Sequence, residues 1–246
     1  MRLHSLPGFC GILAGLFTIG TFGSVVSGDE PAKKDLSSRE ILDRLAKAYA
    51  GCESYRDSGE VSITFIENGN RRLDIRPFKT AFIRPDRFRY EYVATNPANK
   101  TSRYLIWRNK DEVQSWWDIT PGVKKPESLA LAVASATGVS GGSAHTVPTM
   151  LMPKELGGAR LSDFPNLKRG EDDKLDGIEC YRIEGVVFKA PTTYWIEKKT
   201  FLLRKIAATT DFGTFQTEQT TSYKPTFGEK IPEDALVFDP PRPKDD

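Results

Sequence analysis

The sequence predicts an α+β protein in which helices cover one face of a strongly curved antiparallel sheet, an open half-barrel of about ten strands. Three observations support this fold class. A helical pattern of apolar residues opens the domain, apolar and polar residues then alternate along two long stretches, and a segment rich in Ala, Gly and Ser separates these stretches. A sheet of that size must curl, split or close, and a curled sheet needs a cover over its concave face.

The N-terminal segment, residues 1–28, has the features of a secretory signal peptide. Arg2 precedes an apolar run from Phe9 to Val26, and the small residues Ser27 and Gly28 follow it, as they do before a signal-peptide cleavage site. We therefore expect cleavage near Gly28 and export of the chain. The alternative is an uncleaved anchor that tethers the protein to the membrane, because an apolar run of about 18 residues is at the lower limit for a span.

The rest of the chain is predicted to form a linker and one domain. Residues 29–36 are polar and include Pro31, so we expect a linker there, and residues 37–242 suit a single domain with its own core. The formal net charge of the whole chain is only +2. A charge so close to zero, with the basic residues spread along the predicted strands, is not the footprint of a nucleic-acid-binding protein.

One amphipathic helix begins the domain. Ser37 and Glu40 have the spacing of a capping box, in which each side chain binds the backbone N–H of the other residue. Apolar residues then recur at helical spacing: Ile41, Leu42, Leu45, Ala48, Tyr49 and Cys52. Gly51 provides a stop. Such a helix must bury its apolar face, and the sheet is the surface available to it.

Alternation with a period of two starts after the helix and predicts strands. Val61, Ile63 and Phe65 alternate with polar residues, and Asn68-Gly69 is the sequence of a type I′ hairpin turn. Five strands are expected before the small-residue segment and five after it. The later strands are Leu167–Glu171, Ile178–Val187, Thr192–Glu197, Phe201–Thr209 and Thr214–Tyr223. Short connections force consecutive strands to pair, so the architecture is a meander.

The segment between the two sets of strands, Pro126–Leu156, is expected to be a second cover. Leu129, Ala130, Val133 and Ala134 suit a helix of small residues. A loosely packed cover over an aromatic strand face would enclose a cavity of the size of a lipid chain. The alternative is that the aromatic face is simply packed core, and the residues alone leave both interpretations open.

One stretch, Lys79–Tyr92, alternates strictly on both sides of an Arg-Pro break. Within it, Arg84–Tyr90 has the sequence Arg-Pro-Asp-Arg-Phe-Arg-Tyr, and Trp107, the pair Trp116-Trp117 and the closing stretch Val237–Pro241 follow. In this order, over residues 37–241, the motifs resemble those of the periplasmic lipoprotein-carrier (lipoprotein-sorting) family. The Ala-, Gly- and Ser-rich cover and the cysteines depart from the family's pattern.

The resemblance implies a non-catalytic periplasmic carrier that holds a lipid or lipoprotein acyl chain in a hydrophobic cup. Membrane-bound donor and acceptor proteins would be its partners. Five aromatic residues are expected to line the cup: Phe65, Phe82, Phe88, Tyr90 and Trp117. The alternative function is an envelope-stress sensor or regulatory lipid-binding module, which the same fold also serves.

Arg84 is the expected gate. The resemblance implies that this arginine hydrogen-bonds the helical cover and is released when cargo enters. A guanidinium suits that role because it offers several donors in a fixed fork to the carbonyls of a helix end. The alternative is an ordinary arginine at the end of a strand.

Two cysteines, Cys52 and Cys180, remain beyond the signal segment. In an oxidising compartment two thiols are most simply one disulfide, which would pin the first helix to the sheet. The alternative is a pair of unrelated buried thiols, because a sequence does not show whether their Cα atoms come within bonding distance.

The sequence predicts no enzyme, metal site or cofactor. Gly138–Gly142 matches G-x-S-x-G and His145 follows closely, but the motif lacks the preceding strand and the distant histidine that a nucleophile needs, so we expect a hinge. Asp172–Gly177 hints at a calcium loop, yet Lys174 occupies a ligand position. One histidine and two cysteines beyond the signal segment do not furnish the usual zinc ligands.

Overall fold

The computed structural model describes residues 35–95 and 100–241. The predicted signal peptide, residues 1–28, lies outside these ranges, as do residues 29–34 of the predicted linker. The described residues form three α-helices, two 3-10 turns and thirteen strands. None of these helices is long and apolar enough to cross a lipid bilayer.

The first helix, α1 (Ser38–Gly51), begins at the predicted capping box. Glu40 N donates to Ser37 Oγ over 3.2 Å, and Ser37 N donates to a Glu40 carboxylate oxygen over 2.8 Å. Ile41 and Leu45 are completely buried. The helix therefore packs its apolar side against the sheet, as the periodicity predicts.

All thirteen strands belong to one antiparallel sheet. The first set is β1 (Ser54–Glu67), β2 (Asn70–Ile83), β3 (Arg87–Thr95), β4 (Thr101–Asn109), β5 (Glu112–Trp117) and β6 (Val123–Lys124). The second set is β7 (Lys168–Arg169), β8 (Asp173–Leu175), β9 (Ile178–Val187), β10 (Ala190–Glu197), β11 (Leu203–Asp211), β12 (Gln216–Tyr223) and β13 (Thr226–Phe227). The sequence does not predict β6, β8 and β13, because strands of two or three residues are too short to show alternation.

Two meanders meet in the middle of the sheet. One runs from β1 to β6, the other contains β9 to β12, and β1 pairs with β12 so that Gly59 lies opposite Tyr223. The strands at the two ends, β6 and β7, do not pair with each other within the described sheet. The sheet is therefore open, and the predicted α+β class with a curved antiparallel sheet is confirmed.

Tight turns of the predicted kind fix the strand registers. Asn68 and Gly69 join β1 to β2 with φ angles of 48° and 78°, and Asp176 and Gly177 join β8 to β9 with φ angles of 50° and 82°. Two consecutive left-handed residues are the signature of a type I′ turn, whose twist matches that of the flanking strands.

Helices α2 (Leu129–Thr137) and α3 (Ser143–Leu151), with the turn between them, form the predicted second cover. Gly141 and Gly142 end the turn with φ angles of 63° and 84°. The buried sides of α1, α2 and α3 join one core cluster with the concave face of the sheet. We call α2, α3 and their turn the cover.

The last described segment of the chain lies on the outer face of the sheet. We name residues 231–238 the C-terminal strap. Ile231 and Leu236 pack on Ala81 of β2. The ring of Phe238 lies 5.3 and 5.2 Å, between centroids, from the tryptophans of β4 and β5 that face outward. These contacts hold the strap against the sheet.

The predicted disulfide between Cys52 and Cys180 is not formed, and both are free, buried thiols. Cys52 belongs to the core cluster on the concave side. On β9, Tyr181 and Ile183 contact this same core, so strand alternation directs Cys180 to the opposite face. The sheet thus separates the two sulfur atoms. A count of thiols does not reveal this, because it does not show which face of a strand each thiol occupies.

Candidate functional site

A cavity of about 500 Å³ lies between the concave face of the sheet and the cover. Its roof is the end of α2, the turn and one side of α3: Thr137, Gly141, Gly142, His145, Thr146 and Thr149. Its floor is formed by β10, β11 and β12: Ala190, Thr192, Tyr194, Ile206, Ala208, Thr210, Thr217, Gln219 and Thr221. The remaining wall consists of Ala159, Arg160, Leu161, Phe164, Val187 and Phe188.

The floor is open because its inward positions carry short side chains. On β11 these positions include Ala208 and Thr210, and on β12 they include Thr217 and Thr221. On β3, by contrast, they carry rings that fill the concave space: Phe88, Tyr90 and Tyr92. One half of the half-barrel is packed and the other is hollow. The small Ala and Thr residues at the inward positions of β11 and β12 are the sequence signal for this hollow half.

The aromatic residues predicted to line a cup lie in or beside the packed half. Phe82, Phe88 and Tyr90 are completely buried in the core cluster. Phe65 and Trp117 are half-buried. None of the five borders the cavity under the cover. Phe82, Phe88 and Tyr90 therefore belong to the packed core.

Tyr90 connects this packed core to the cover. Its hydroxyl lies 2.7 Å from Ser143 Oγ at the start of α3, and Ser143 Oγ donates to Ser140 O over 2.9 Å. Because the Ser143 proton is engaged there, Tyr90 is the donor to Ser143. Burial raises the pKa of Tyr90 far above its ordinary value, so the hydroxyl keeps its proton at neutral pH.

Two more side chains hold the α2–α3 turn. Gln219 Nε2 donates to Gly141 O over 2.8 Å, and Arg76 Nη1 donates to Val139 O over 2.7 Å. A Cβ atom on Gly141 would come within 2.8 Å of Val61. Glycine is therefore required for the turn to approach the sheet this closely, and the turn end of the cover is tied to three strands.

Arg84 fastens the other end of the cover. Its Nη2 donates to Leu151 O at the end of α3 over 3.1 Å and to Ala50 O of α1 over 2.9 Å, and its Nε donates to Cys52 O over 3.1 Å. Carbonyls at helix C-termini carry partial negative charge, so a cation is favourable there. Arg84 thus joins the end of α3 to the end of α1.

The G-x-S-x-G stretch forms the turn of the cover. Ser140 is completely buried, and its Oγ donates to Thr137 O over 3.2 Å and accepts from Ala144 N over 3.1 Å. His145 Nε2 lies 3.3 Å from Gly157 O. The hydroxyl and the imidazole therefore bind backbone groups instead of each other, and Ser140 links α2 to α3.

Ion pairs occupy the acidic stretch that resembles a calcium loop. Asp172 binds Arg169 at 2.9 Å and Lys198 at 2.7 Å, and Asp173 accepts from Trp195 Nε1 over 2.9 Å. Among the described residues, no three His, Cys, Asp or Glu side chains are grouped to hold a metal ion.

A buried carboxylate lies in the core on the concave side. Asp57 is 4% exposed and accepts from Tyr55 OH over 2.7 Å, while its other oxygen has no hydrogen-bond partner among the described residues. Burial raises the pKa of Asp57 to about 6, and the bond from Tyr55 opposes that rise. Asp57 therefore gains or loses its proton at mildly acidic pH.

No protein-family model and no curated protein matches the sequence. Solved structures with a similar fold include LprF from Mycobacterium bovis, at 12% identity over 79% of this chain and 94% of that chain, with a TM-score of 0.47. A LolA superfamily protein from Nitrosomonas europaea matches at 9% identity over 83% of this chain and 99% of that chain, with a TM-score of 0.30.

MucB in the MucA/MucB complex from Pseudomonas aeruginosa is also similar, at 13% identity and a TM-score of 0.42. The match covers 82% of this chain and 60% of that chain, so this chain spans about three fifths of that protein. The solved structures to which the chain is similar thus include a LolA superfamily protein.

Proposed function

We propose that the protein is a non-catalytic carrier that holds an acyl chain of a lipid or lipoprotein in the cavity under the cover. The observation that carries this proposal is the cavity itself, whose volume of about 500 Å³ lies within the usual range for small-molecule sites. It lies at the concave face, between a rigid sheet and two short helices.

The chemistry of the walls favours an apolar occupant. Leu161, Val187, Tyr194 and Ile206 contribute apolar surface, and the alanines and threonines of the floor contribute methyl groups. Burying each methylene group of an acyl chain gains about 0.8 kcal/mol. Arg160, which pairs with Asp163 over 3.5 Å, is the cation of the lining, and it suits an anionic or polar head at one end of the chain.

The contacts of Arg84 support its role as a gate. Movement of α3 away from the sheet would widen the cavity, and it requires that Arg84 release Leu151 O. Exchanging this one hydrogen bond for water is a reversible step of modest cost, since such a bond contributes about 1 kcal/mol net. The signal segment favours export to the periplasm, where membrane-bound donor and acceptor proteins would load and unload the carrier.

The proposal is tested by filling the cavity. Ala208→Phe places a ring in the floor, whereas Ala207→Phe places the same ring on the outer face of the same strand. We expect saturated fatty acids of increasing length to bind the unchanged protein with affinity that rises up to about fourfold per methylene. Isothermal titration calorimetry measures this series.

Ala208→Phe should abolish the binding of the longer chains, and Ala207→Phe should leave it unchanged. Equal affinity for all chain lengths, or equal binding by the two variants, would contradict an acyl chain in this cavity. Circular dichroism shows whether each variant keeps the fold.

A further inference from the structure

A second cavity, of about 510 Å³, lies on the outer face of the sheet. Its floor is formed by β1, β2 and β3, and the C-terminal strap forms one wall through Pro232, Asp234 and Ala235. Arg89 Nη1 donates to Asp234 O over 3.0 Å, which holds this wall in place. The sheet separates this cavity from the one under the cover.

Three exposed basic residues, Arg56, Lys79 and Lys224, border the outer cavity. Their side chains have no hydrogen bond or ion pair with any described residue. The strand register brings them together around Ser58, because Ser58 pairs with Lys79 across β1 and β2 and accepts from Lys224 N over 3.0 Å. Three cations and a hydroxyl group therefore surround one part of the floor.

The acidic residues of the lining do not balance these cations. Glu91 already binds Arg89 and Arg103, each at 2.6 Å. The carboxylate of Asp57 binds Tyr55 on the other side of the sheet. Asp234 is the remaining carboxylate, and it belongs to the strap wall. The floor around Ser58 therefore has a local excess of positive charge.

We propose that the outer cavity binds a phosphate-bearing group at Arg56, Lys79 and Lys224. A phosphate has enough acceptor oxygens and charge to bind all three cations and the Ser58 hydroxyl at once, whereas a carboxylate has only two oxygens. The guanidinium of Arg56 offers a planar fork to two of these oxygens. The cavity is larger than a phosphate, so a polar body such as a sugar or glycerol unit fits beside it.

The phosphate group has two possible sources, a small soluble compound or the headgroup of a phospholipid membrane. Titration with inorganic phosphate, followed by calorimetry at low salt, tests the first. Sedimentation with phosphatidylglycerol vesicles, compared with phosphatidylcholine vesicles, tests the second. Acetate serves as a carboxylate control in the calorimetry.

The variant Arg56→Gln/Lys79→Gln/Lys224→Gln removes the three charges without touching the core. Losing charge-assisted hydrogen bonds should weaken phosphate binding at least about tenfold. Lys205→Gln is the control, because Lys205 lies on the outer face of β11 over the ring of Trp195 and does not line the cavity. Its affinity for phosphate should stay within about twofold of the unchanged protein.

If the unchanged protein binds phosphate more tightly than acetate and the triple variant does not bind phosphate, the proposal holds with a soluble ligand. If the unchanged protein sediments with phosphatidylglycerol vesicles and the triple variant does not, the proposal holds with a lipid headgroup as the ligand. If the triple variant and Lys205→Gln weaken binding equally, the proposal is overturned. It is also overturned if the unchanged protein binds neither phosphate nor the vesicles. These outcomes do not depend on the acyl cavity, since all the substitutions lie on the opposite face.

Discussion

Asp57 shows how the core changes the properties of one side chain. Tyr55 donates to one of its oxygens. The hydroxyl of Tyr49 accepts from Leu203 N over 3.2 Å, and its ring lies tilted beside that of Tyr55, with the centroids 5.4 Å apart. The carboxylate is buried without a cation, so its charged form is disfavoured. An acid whose pKa is higher in the folded than in the unfolded state makes the folded protein less stable as it ionises.

The free energy of unfolding should therefore fall as pH rises from about 4 to about 6, the interval between the ordinary pKa of Asp57 and its raised value. In this window the folded protein holds a proton that the unfolded chain has released. Asp57→Asn should remove the fall and raise the free energy of unfolding at pH 7.5 by about 1–3 kcal/mol. Urea unfolding at several pH values measures both effects.

Glu60→Gln is the control for this prediction, because Glu60 is an exposed carboxylate on the same strand. It should change the free energy of unfolding by less than about 0.5 kcal/mol. If Asp57→Asn and the unchanged protein show the same dependence on pH, the buried carboxylate does not titrate as described.

The two cysteines provide a second prediction at the residue scale. Burial raises the pKa of Cys52 and raises that of Cys180 to about 11, so neither forms a reactive thiolate at neutral pH. We expect alkylating reagents to label neither residue in the folded protein and both residues after denaturation without a reducing agent. Absence of labelling in the denatured protein would reveal a disulfide and contradict the separation of the thiols by the sheet.

At the scale of elements, local sequence signals predict the fold well. The capping box of Ser37 and Glu40, the turn at Asn68-Gly69 and the alternation of β1 all appear as expected. Each depends on residues close together in the chain. The location of the cavity depends instead on which strands lie under α3, and alternation does not distinguish a ring that fills a core from one that lines a cup.

The cover is an element held at both ends by polar contacts. Arg84→Lys keeps the charge but removes the fork that joins Leu151 O of α3 to carbonyls at the end of α1, so the closed cover should be destabilised by about 0.5–1.5 kcal/mol. We expect faster hydrogen exchange of the α3 amides and up to about tenfold faster release of a bound fatty acid. Exchange mass spectrometry and stopped-flow displacement measure these two effects.

Arg71→Lys is the control for Arg84, because Arg71 is exposed and pairs with Glu218, away from the cover. It should leave both exchange and release unchanged. An equal response of the two variants would mean that Arg84 does not hold the cover closed.

At the scale of the whole molecule, the two faces of the sheet have different chemistry. The concave face is divided between an aromatic core beneath the helices and a cavity lined mainly by small side chains. The outer face carries the strap and the basic cavity. The antiparallel sheet accounts for this division, because successive residues of each strand point to opposite faces.

A crystal structure with a fatty acid brominated at its terminal methyl carbon tests the central claim most directly. The account predicts an anomalous bromine peak beneath α3, between the inward residues of β10, β11 and β12 such as Thr192, Ala208 and Thr221. Ala207→Phe crystals should show the same peak, and Ala208→Phe crystals should lack it. A bromine peak elsewhere, or a cavity filled by the protein's own side chains with no peak at all, would contradict the account.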